Sequence, residues 1–264
     1  MKNWLVPIIL LVSACKTTKP FADRLPSQDD YVRGGKIYSS LFQQKAAEYR
    51  ALCFQGYNLV KWNVDKYKSS SSKPLAIITD IDETILDNSP YAVKRAFANE
   101  EFSQATWEQW TALGIADTMP GAASCLHYVA AKNIEVFYIT NRYEREREGT
   151  LKNLRAFNLP FADDKHLIMR TAESSKEARR QSVLNNYDVI LYMGDNLADL
   201  NVLFDKKDQL SRYNSSNYLS GEFGKKFIIF PNANYGDWEF ATFKSYSLKP
   251  AQRDSILKSN LKSY

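Results

Sequence analysis

Short, continuously apolar runs recur along the chain after residue 74, and most of them end at polar residues. Such runs are typical of strands that are buried on both faces of a parallel sheet. Segments with helical spacing separate them, at residues 121–131, 144–157 and 176–185. The alternation predicts an α/β fold with a parallel sheet flanked by helices. The predicted strands are residues 75–80, 134–140, 189–195 and 227–232, with a weaker candidate at 166–169.

The part of the chain before this alternation has a different pattern. Residues 28–68 are predicted to be helical, because apolar side chains recur at three- and four-residue spacing, as at Tyr38, Leu41, Phe42 and Tyr49. A Ser-rich linker follows at residues 68–74. Residues 87–120 separate the first strand from the next helix and are expected to form an insertion. We predict one domain over residues 28–264, with a small, mainly α-helical cap formed by residues 28–70 and 87–120.

The N-terminal segment has the layout of an export signal. One cation precedes an apolar run at residues 5–12, and Ser13, Ala14 and Cys15 follow. The run is shorter than the roughly 20 apolar residues that span a bilayer. The segment resembles a bacterial lipoprotein signal, which implies removal of residues 1–14, lipidation of Cys15 and a polar tether over residues 15–27. It also implies a lipid-anchored place in the cell envelope, at the outer membrane; a plain secretory signal is the alternative.

Composition narrows the classes of function. The net charge of +5 comes from 35 cations and 30 anions, a balance that does not predict a nucleic-acid polymer as partner. Only two His and three Cys are present, which excludes a His-rich metal site and a dense disulfide framework. Cys53 and Cys125 form either one disulfide or two buried thiols. Carboxylates are therefore the main candidates for chemistry.

Polar residues cluster where three predicted strands end. Open α/β sheets bind ligands at this edge. Residues two apart in a strand face the same way, so Asp80 and Asp82 can address one ligand. Their mutual repulsion calls for a proton or a cation, and Mg²⁺ prefers such oxygen ligands. The predicted site consists of Asp80, Asp82, Thr140, Asn141, Asp195 and Asp199.

Four segments occur in the order found in one enzyme superfamily. The first, DIDETILDNSPY at residues 80–91, resembles the nucleophile motif of the haloacid dehalogenase (HAD) superfamily. Its longer form is similar to that of bacterial class C acid phosphatases, a group of lipoprotein acid phosphatases and 5'-nucleotidases. Three later segments resemble further motifs of the family: ITNR at residues 139–142, GDNLAD at 194–199 and PNANYGDWE at 231–239. The resemblance implies a HAD-like, Rossmannoid fold and an enzyme that hydrolyses phosphomonoesters.

The resemblance also implies roles for the acids. Asp80 would be the nucleophile that forms an aspartyl-phosphate. Asp82 would protonate the leaving alcohol and then deprotonate the attacking water. Mg²⁺ would be the cofactor, held by the Asp80 and Asp195 carboxylates and the Asp82 backbone carbonyl.

Other residues would hold the substrate. Thr140, Asn141 and Lys176 would bind phosphate oxygens, since SKEAR at residues 175–179 lies where the family has its phosphate-binding Lys. Asp199 would support Asp195, Lys176 or a metal-bound water. An aromatic clamp formed by Trp107 and Tyr235 would bind nucleoside monophosphates by stacking on the base, whereas Trp110 and Trp238 are predicted to be packing residues.

A run of alternating charges begins at the end of the second motif. Charges alternate from Arg142 to Glu148, which predicts a solvated helix face from which Arg142 alone adds positive potential at the phosphate.

A surface lipoprotein that binds a nucleotide or haem without turnover is one alternative function. A phosphotransferase that uses the same intermediate is another. The family resemblance also allows a homodimer.

Overall fold

A parallel sheet forms the centre of the part of the chain that the structure describes, residues 30–264 of a computed structural model. Its strands are β1 (Leu75–Thr79), β4 (Glu135–Tyr143), β5 (Leu167–Arg170), β6 (Asp188–Gly194) and β7 (Phe227–Ile229). They lie in the order β5-β4-β1-β6-β7, and every pairing is parallel. The predicted α/β fold is confirmed, and each predicted strand, including the weak candidate, corresponds to a strand of this sheet.

Both faces of the sheet are covered. Ile77 packs into one core cluster, while its neighbours Ala76 and Ile78 pack into a second cluster on the opposite face. A strand buried on both sides reads as a continuous apolar run, because neither set of alternate side chains meets water. This packing accounts for the pattern from which the sheet was predicted.

Helices surround the sheet and extend beyond it. In chain order the α-helices of the described residues are α1 (Tyr31–Lys45), α2 (Ala47–Lys66), α3 (Ser89–Phe97), α4 (Gln104–Leu113), α5 (Ala122–Ala131), α6 (Arg147–Ala156), α7 (Glu177–Leu184), α8 (Leu197–Leu200), α9 (Gln209–Tyr218), α10 (Asp237–Phe243) and α11 (Pro250–Asn260). None of them is long and apolar enough to cross a membrane.

The second helix, α2, packs against the sheet. Its buried side chains, among them Tyr49, Cys53 and Val60, share one core cluster with Ile77 of β1 and Ile228 of β7. Cys53 and Cys125 are free buried thiols in this cluster. Helical periodicity identifies a buried face of α2 without identifying what that face packs against. The division into one domain with a cap formed by residues 28–70 and 87–120 stays a prediction.

The insertion after β1 contains a short antiparallel pair, β2 (Leu86–Asp87) and β3 (Asp117–Thr118), together with α3 and α4. Helix α4 packs closely on α6 at Gly149, where a Cβ atom would lie 2.4 Å from the Thr111 carbonyl oxygen. Only glycine permits this approach. The contact ties the insertion to the helix that follows β4, near the carboxyl ends of the strands.

Candidate active site

Asp80 lies directly after β1 and is buried, with 7 % of its surface exposed. The ammonium group of Lys176, at the start of α7, contacts its carboxylate. The same ammonium lies 2.7 Å from Oδ1 of Asp199. Lys176 therefore bridges an acid that follows β1 and an acid of α8, which follows β6.

Three carboxylates converge at this point. Oxygens of Asp80, Asp195 and Asp199 lie within 4.8 Å of one another. Asp195 follows β6 and accepts a hydrogen bond of 2.8 Å from Nδ2 of Asn232. Asp199 reaches the group because Gly194 has no side chain, since a Cβ there would lie 2.5 Å from the Cβ of Asp199. These residues follow β1, β6 and β7, so the predicted strand-end cluster assembles on neighbouring strands.

The electrostatics of this cluster favour a cation. Burial raises the pKa of Asp80 to about 7, against the attraction of Lys176 and helped by the charge of Asp199. Burial and the charges of Asp199 and Asp80 raise the pKa of Asp195 well above its usual range. Burial lowers the pKa of Lys176, but attraction to Asp199 and Asp80 outweighs it and raises that pKa. Carboxylate oxygens that repel one another are a donor set that fits a hard divalent cation.

Asp82 is held from two sides. Arg142 donates to it from Nη2, 2.7 Å from Oδ1, and from Nε, 3.1 Å from Oδ1 and 3.2 Å from Oδ2. Asn88 donates from Nδ2 to the same Oδ1 at 2.8 Å. The predicted solvated position of Arg142 is wrong, because β4 continues to Tyr143 and turns this guanidinium inward to a buried ion pair. Neither Arg142 nor Asn88 was predicted as a partner of Asp82.

Thr140 and Asn141 lie at the end of β4, beside the acids. Thr140 is buried, and its hydroxyl accepts a hydrogen bond from the backbone N–H of Arg142 at 3.1 Å. Arg179 contacts the Thr140 carbonyl oxygen, and its Nη2 lies 2.7 Å from Oδ1 of Asn141. Burial lowers the pKa of Arg179 to about 10. Arg179 lies on α7, three residues after Lys176 at the start of that helix, and it was not predicted as a site residue.

The two aromatic residues of the predicted clamp contact different neighbours of Asp82, Trp107 its partner Arg142 and Tyr235 the next residue, Glu83. The Trp107 ring centroid lies 5.7 Å from Cζ of Arg142 and 5.1 Å from the Tyr91 ring centroid, edge to face. Tyr235 is 37 % exposed, and its hydroxyl donates to the Glu83 carboxylate. Glu83 is buried, and burial together with the charge of Asp82 raises its pKa to about 8.

Glu83 shapes the turn that carries the acids. Its backbone has a φ of 55°, a left-handed conformation that residues other than glycine rarely adopt. Its carboxylate accepts a hydrogen bond of 2.7 Å from the Asn88 backbone N–H, which offsets the strain of this turn. The carboxylate thereby joins the turn after β1 to Tyr235 and to the start of α3. The predicted lipidation site, Cys15, lies outside the described residues.

Comparisons with known proteins agree with this geometry. A crystal structure of the class C acid phosphatase from Bacillus anthracis with tungstate bound is 34 % identical, covers 89 % of this chain and 99 % of that one, and superposes with a TM-score of 0.84. Acid phosphatase 1 from Solanum lycopersicum is 30 % identical over 131 residues, 47 % of this chain and 51 % of that protein. Vegetative storage protein 2 from Arabidopsis thaliana is 26 % identical over 189 residues, 67 % of each chain.

These comparisons decide the family. The chain spans about half the length of the tomato relative, but it matches nearly the whole bacterial structure. The model of the acid phosphatases that form HAD subfamily IIIB matches residues 27–238. The predicted resemblance to class C acid phosphatases is confirmed, and the chain belongs to the acid phosphatase family of the HAD superfamily, subfamily IIIB.

Proposed function

We propose that this protein hydrolyses phosphomonoesters, with Mg²⁺ as cofactor and nucleoside monophosphates as substrates, through an aspartyl-phosphate on Asp80. The observation that carries this proposal is the burial of Asp80 between Lys176 and two further carboxylates. A nucleophilic carboxylate needs a cationic surrounding in which the phosphoryl charge is also stabilised. The tungstate in the Bacillus anthracis structure is a tetrahedral oxyanion like phosphate, which supports the same site chemistry here.

The chemistry proceeds in two displacements. A carboxylate oxygen of Asp80 forms a bond to phosphorus, the ester P–O bond breaks, and the leaving oxygen takes a proton from Asp82. A water oxygen then forms a new bond to phosphorus and gives its proton to Asp82, while the bond to Asp80 breaks. Thr140, Asn141 and Lys176 bind the phosphoryl oxygens in both steps. One phosphomonoester and one water are consumed, and one alcohol and one phosphate are released.

The acidic cluster supports Mg²⁺ as the cofactor. Asp80, Asp195 and the backbone carbonyl of Asp82 would hold it, and Asp199 would keep Lys176 in place through their 2.7 Å ion pair. When bound, Mg²⁺ neutralises charge on the phosphoryl oxygens. Without a cation, the pKa of Asp80, which burial raises to about 7, leaves part of this carboxylate set protonated near neutral pH.

Phosphate release measured with and without Mg²⁺ tests the activity. We expect the wild type to hydrolyse p-nitrophenyl phosphate and nucleoside monophosphates between about pH 5 and 7 only with metal, and Asp80→Asn to be inactive. Asp164→Asn is the matched control, because this side chain is 78 % exposed. If the wild type is inactive with metal, the proposal that the protein is an enzyme is wrong, and the ligand-binding alternative remains. Full activity of Asp80→Asn contradicts the assigned nucleophile.

The same assay separates hydrolysis from phosphoryl transfer. With a nucleoside or another alcohol added, a hydrolase releases one phosphate for each alcohol released from the substrate. A phosphotransferase releases less phosphate than alcohol, because the acceptor carries the phosphoryl group away. We expect the ratio to stay near one at low acceptor concentration, since water competes for the same intermediate.

A lipid anchor at Cys15 is the proposed route to the cell envelope. The support is the sequence pattern alone, since residues 1–14 read as a signal and the residues after Cys15 as a tether. More than one acyl chain gives a stable hold on a membrane. We expect Cys15→Ser to move the protein into the soluble fraction of cells, and continued membrane retention would exclude lipidation as the cause. A homodimer stays a prediction.

A further inference from the structure

Trp110 and Asn88 connect the inserted helix α4 to Asp82. The indole Nε1–H of Trp110 donates to Oδ1 of Asn88 at 2.8 Å. The amide Nδ2 of Asn88 donates to Oδ1 of Asp82 at 2.8 Å. Asn88 is buried, with 2 % of its surface exposed. A chain of two hydrogen bonds therefore runs from the insertion to the carboxylate.

The indole determines which way the Asn88 amide points. An indole N–H is a donor only, so the atom that faces it must be the amide oxygen. The amide NH₂ then faces Asp82, where it acts as a donor. With Trp110 absent, the amide keeps only the contact with Asp82 and a long bond of 3.5 Å from Nδ2 to the Leu86 carbonyl oxygen, so it can turn over and present its oxygen to the carboxylate. An amide oxygen in that place would accept a hydrogen bond from the O–H of a protonated Asp82. It would therefore draw that proton to Oδ1.

This orientation leaves one carboxylate oxygen of Asp82 with a single, longer hydrogen bond. Oδ1 accepts two short hydrogen bonds, from Asn88 at 2.8 Å and from Nη2 of Arg142 at 2.7 Å. Oδ2 accepts only the longer bond of 3.2 Å from Nε of Arg142. A carboxylate exchanges a proton most readily through the oxygen that accepts fewer hydrogen bonds. On this geometry that oxygen of Asp82 is Oδ2.

We propose that Trp110, acting through Asn88, is a positioning residue that keeps a donor on Oδ1 of Asp82 and so leaves Oδ2 as the oxygen that exchanges a proton with the leaving group. The proposal rests on the proposed role of Asp82 as the acid for the leaving group. It gives Trp110 a function besides packing, although its ring also packs against the main core cluster. It also explains how an insertion that lies outside the sheet takes part in proton transfer.

Leaving groups of different quality separate this role from packing. p-Nitrophenolate departs readily without a proton, whereas the alkoxide of glycerol 2-phosphate needs one in the transition state. A misplaced acid therefore slows glycerol 2-phosphate more than p-nitrophenyl phosphate. A change that only loosens the fold slows both substrates by the same factor.

The experiment compares kcat/KM for these two substrates in Trp110→Phe, Asn88→Ala and Asp82→Asn. Trp110→Phe keeps an aromatic ring but loses the donor, and we expect about a tenfold greater loss on glycerol 2-phosphate than on p-nitrophenyl phosphate. Asn88→Ala should give a similar ratio. The double variant should lose no more than the larger single loss, because both changes break one chain. Trp62→Phe, on the exposed face of α2, is the matched control and should change neither substrate.

Each outcome has a distinct meaning. Equal losses on both substrates in Trp110→Phe and Asn88→Ala, with a large difference in Asp82→Asn, overturn the positioning role while Asp82 remains the acid. Equal losses in Asp82→Asn itself overturn the proposed function of Asp82 and the inference with it. Thermal melting of each variant is recorded, and if Trp110→Phe does not fold, Trp110→Leu, which also lacks the indole donor, takes its place.

Discussion

Arg142 and Asp82, 60 residues apart in the chain, form an ion pair with 2.7 Å between Nη2 and Oδ1. Only 1 % of the Arg142 side chain is exposed. Its Nη1 donates to the Thr150 hydroxyl at 3.1 Å, so the guanidinium is satisfied on its other side by α6. The pair fastens the turn after β1 to the helix after β4, and it does so at the acid on which catalysis is proposed to depend.

Replacing this arginine should harm both stability and turnover. Arg142→Gln leaves the Asp82 carboxylate without its cation, and breaking a buried pair in this way lowers the free energy of unfolding by about 3 kcal/mol. Urea unfolding measures this change, and phosphate release should fall in parallel because Asp82 loses its position. Arg145→Gln is the control, since Arg145 pairs with Glu108 at the surface and its loss should hardly move the urea midpoint. Equal midpoints for the two variants would contradict the prediction.

The sheet and the acids could be predicted because their signals are local. Strands buried on both faces are continuous apolar runs, and the ends of parallel strands meet at one edge, so the convergence of Asp80 and Asp195 follows from the chain alone. Arg142 could not be placed in this way. Its alternating neighbours resemble a solvated helix, yet β4 pairs with β5 as far as Tyr143 opposite Arg170, and that pairing is a long-range contact.

The packing of α2 could not be predicted for a similar reason. Its apolar positions show that one face is buried, but only tertiary packing brings Val60 into one core cluster with Ile77. The hydrogen bonds of Asn88 and Glu83 depend on the left-handed backbone conformation of Glu83. The residue types of the motif do not predict that conformation. Contacts between segments distant in the chain, rather than the segments themselves, are what the sequence does not reveal.

Metal binding should be visible as a change in stability. The raised pKa of Asp195 means that its charged form opposes folding once the pH exceeds the ordinary value of an aspartate, so this contribution is favourable only at low pH. At pH 7 in EDTA, Asp195→Asn should therefore melt at a higher temperature than the wild type. Mg²⁺ at a hundred times its dissociation constant should stabilise the wild type by about 2.7 kcal/mol and the variant much less. The same Mg²⁺-induced shift in both proteins would show that Asp195 is not a ligand.

Acid should weaken the contact of the N-terminal helix with the C-terminal helix. Glu101 accepts hydrogen bonds from Arg253 at 2.7 Å and from Arg33 at 2.9 Å, and these lower its pKa to about 2. A carboxylate whose pKa is lowered in the folded state stabilises the fold at pH values above the ordinary pKa of a glutamate. That stabilisation is lost as the pH falls toward 2. Because half of this side chain is exposed, we expect Glu101→Gln to lose only about 1 kcal/mol at pH 7.

The test of this contact is the urea midpoint measured from pH 7 down to pH 3. The difference between the wild type and Glu101→Gln should shrink as the pH falls below 5. Glu173→Gln, whose side chain is 81 % exposed, should follow the wild type at every pH. A difference that stays constant over this range would show that Glu101 acts by packing and not by its charge.

The aromatic clamp makes a prediction about substrate preference. Stacking of a base on an aromatic ring contributes about 1–3 kcal/mol, so Trp107→Ala should reduce kcat/KM for nucleoside monophosphates by that much more than for glycerol 2-phosphate. Trp107→Ala also removes the contact between the ring and Arg142, which affects both substrates equally. The ratio of the two losses in kcat/KM cancels this shared effect. Tyr235→Phe keeps its ring but not the bond to Glu83, so it should lower the melting temperature and leave the preference unchanged. If Trp107→Ala reduces both substrates equally, the base does not stack on this ring and the nucleotide preference has to come from elsewhere.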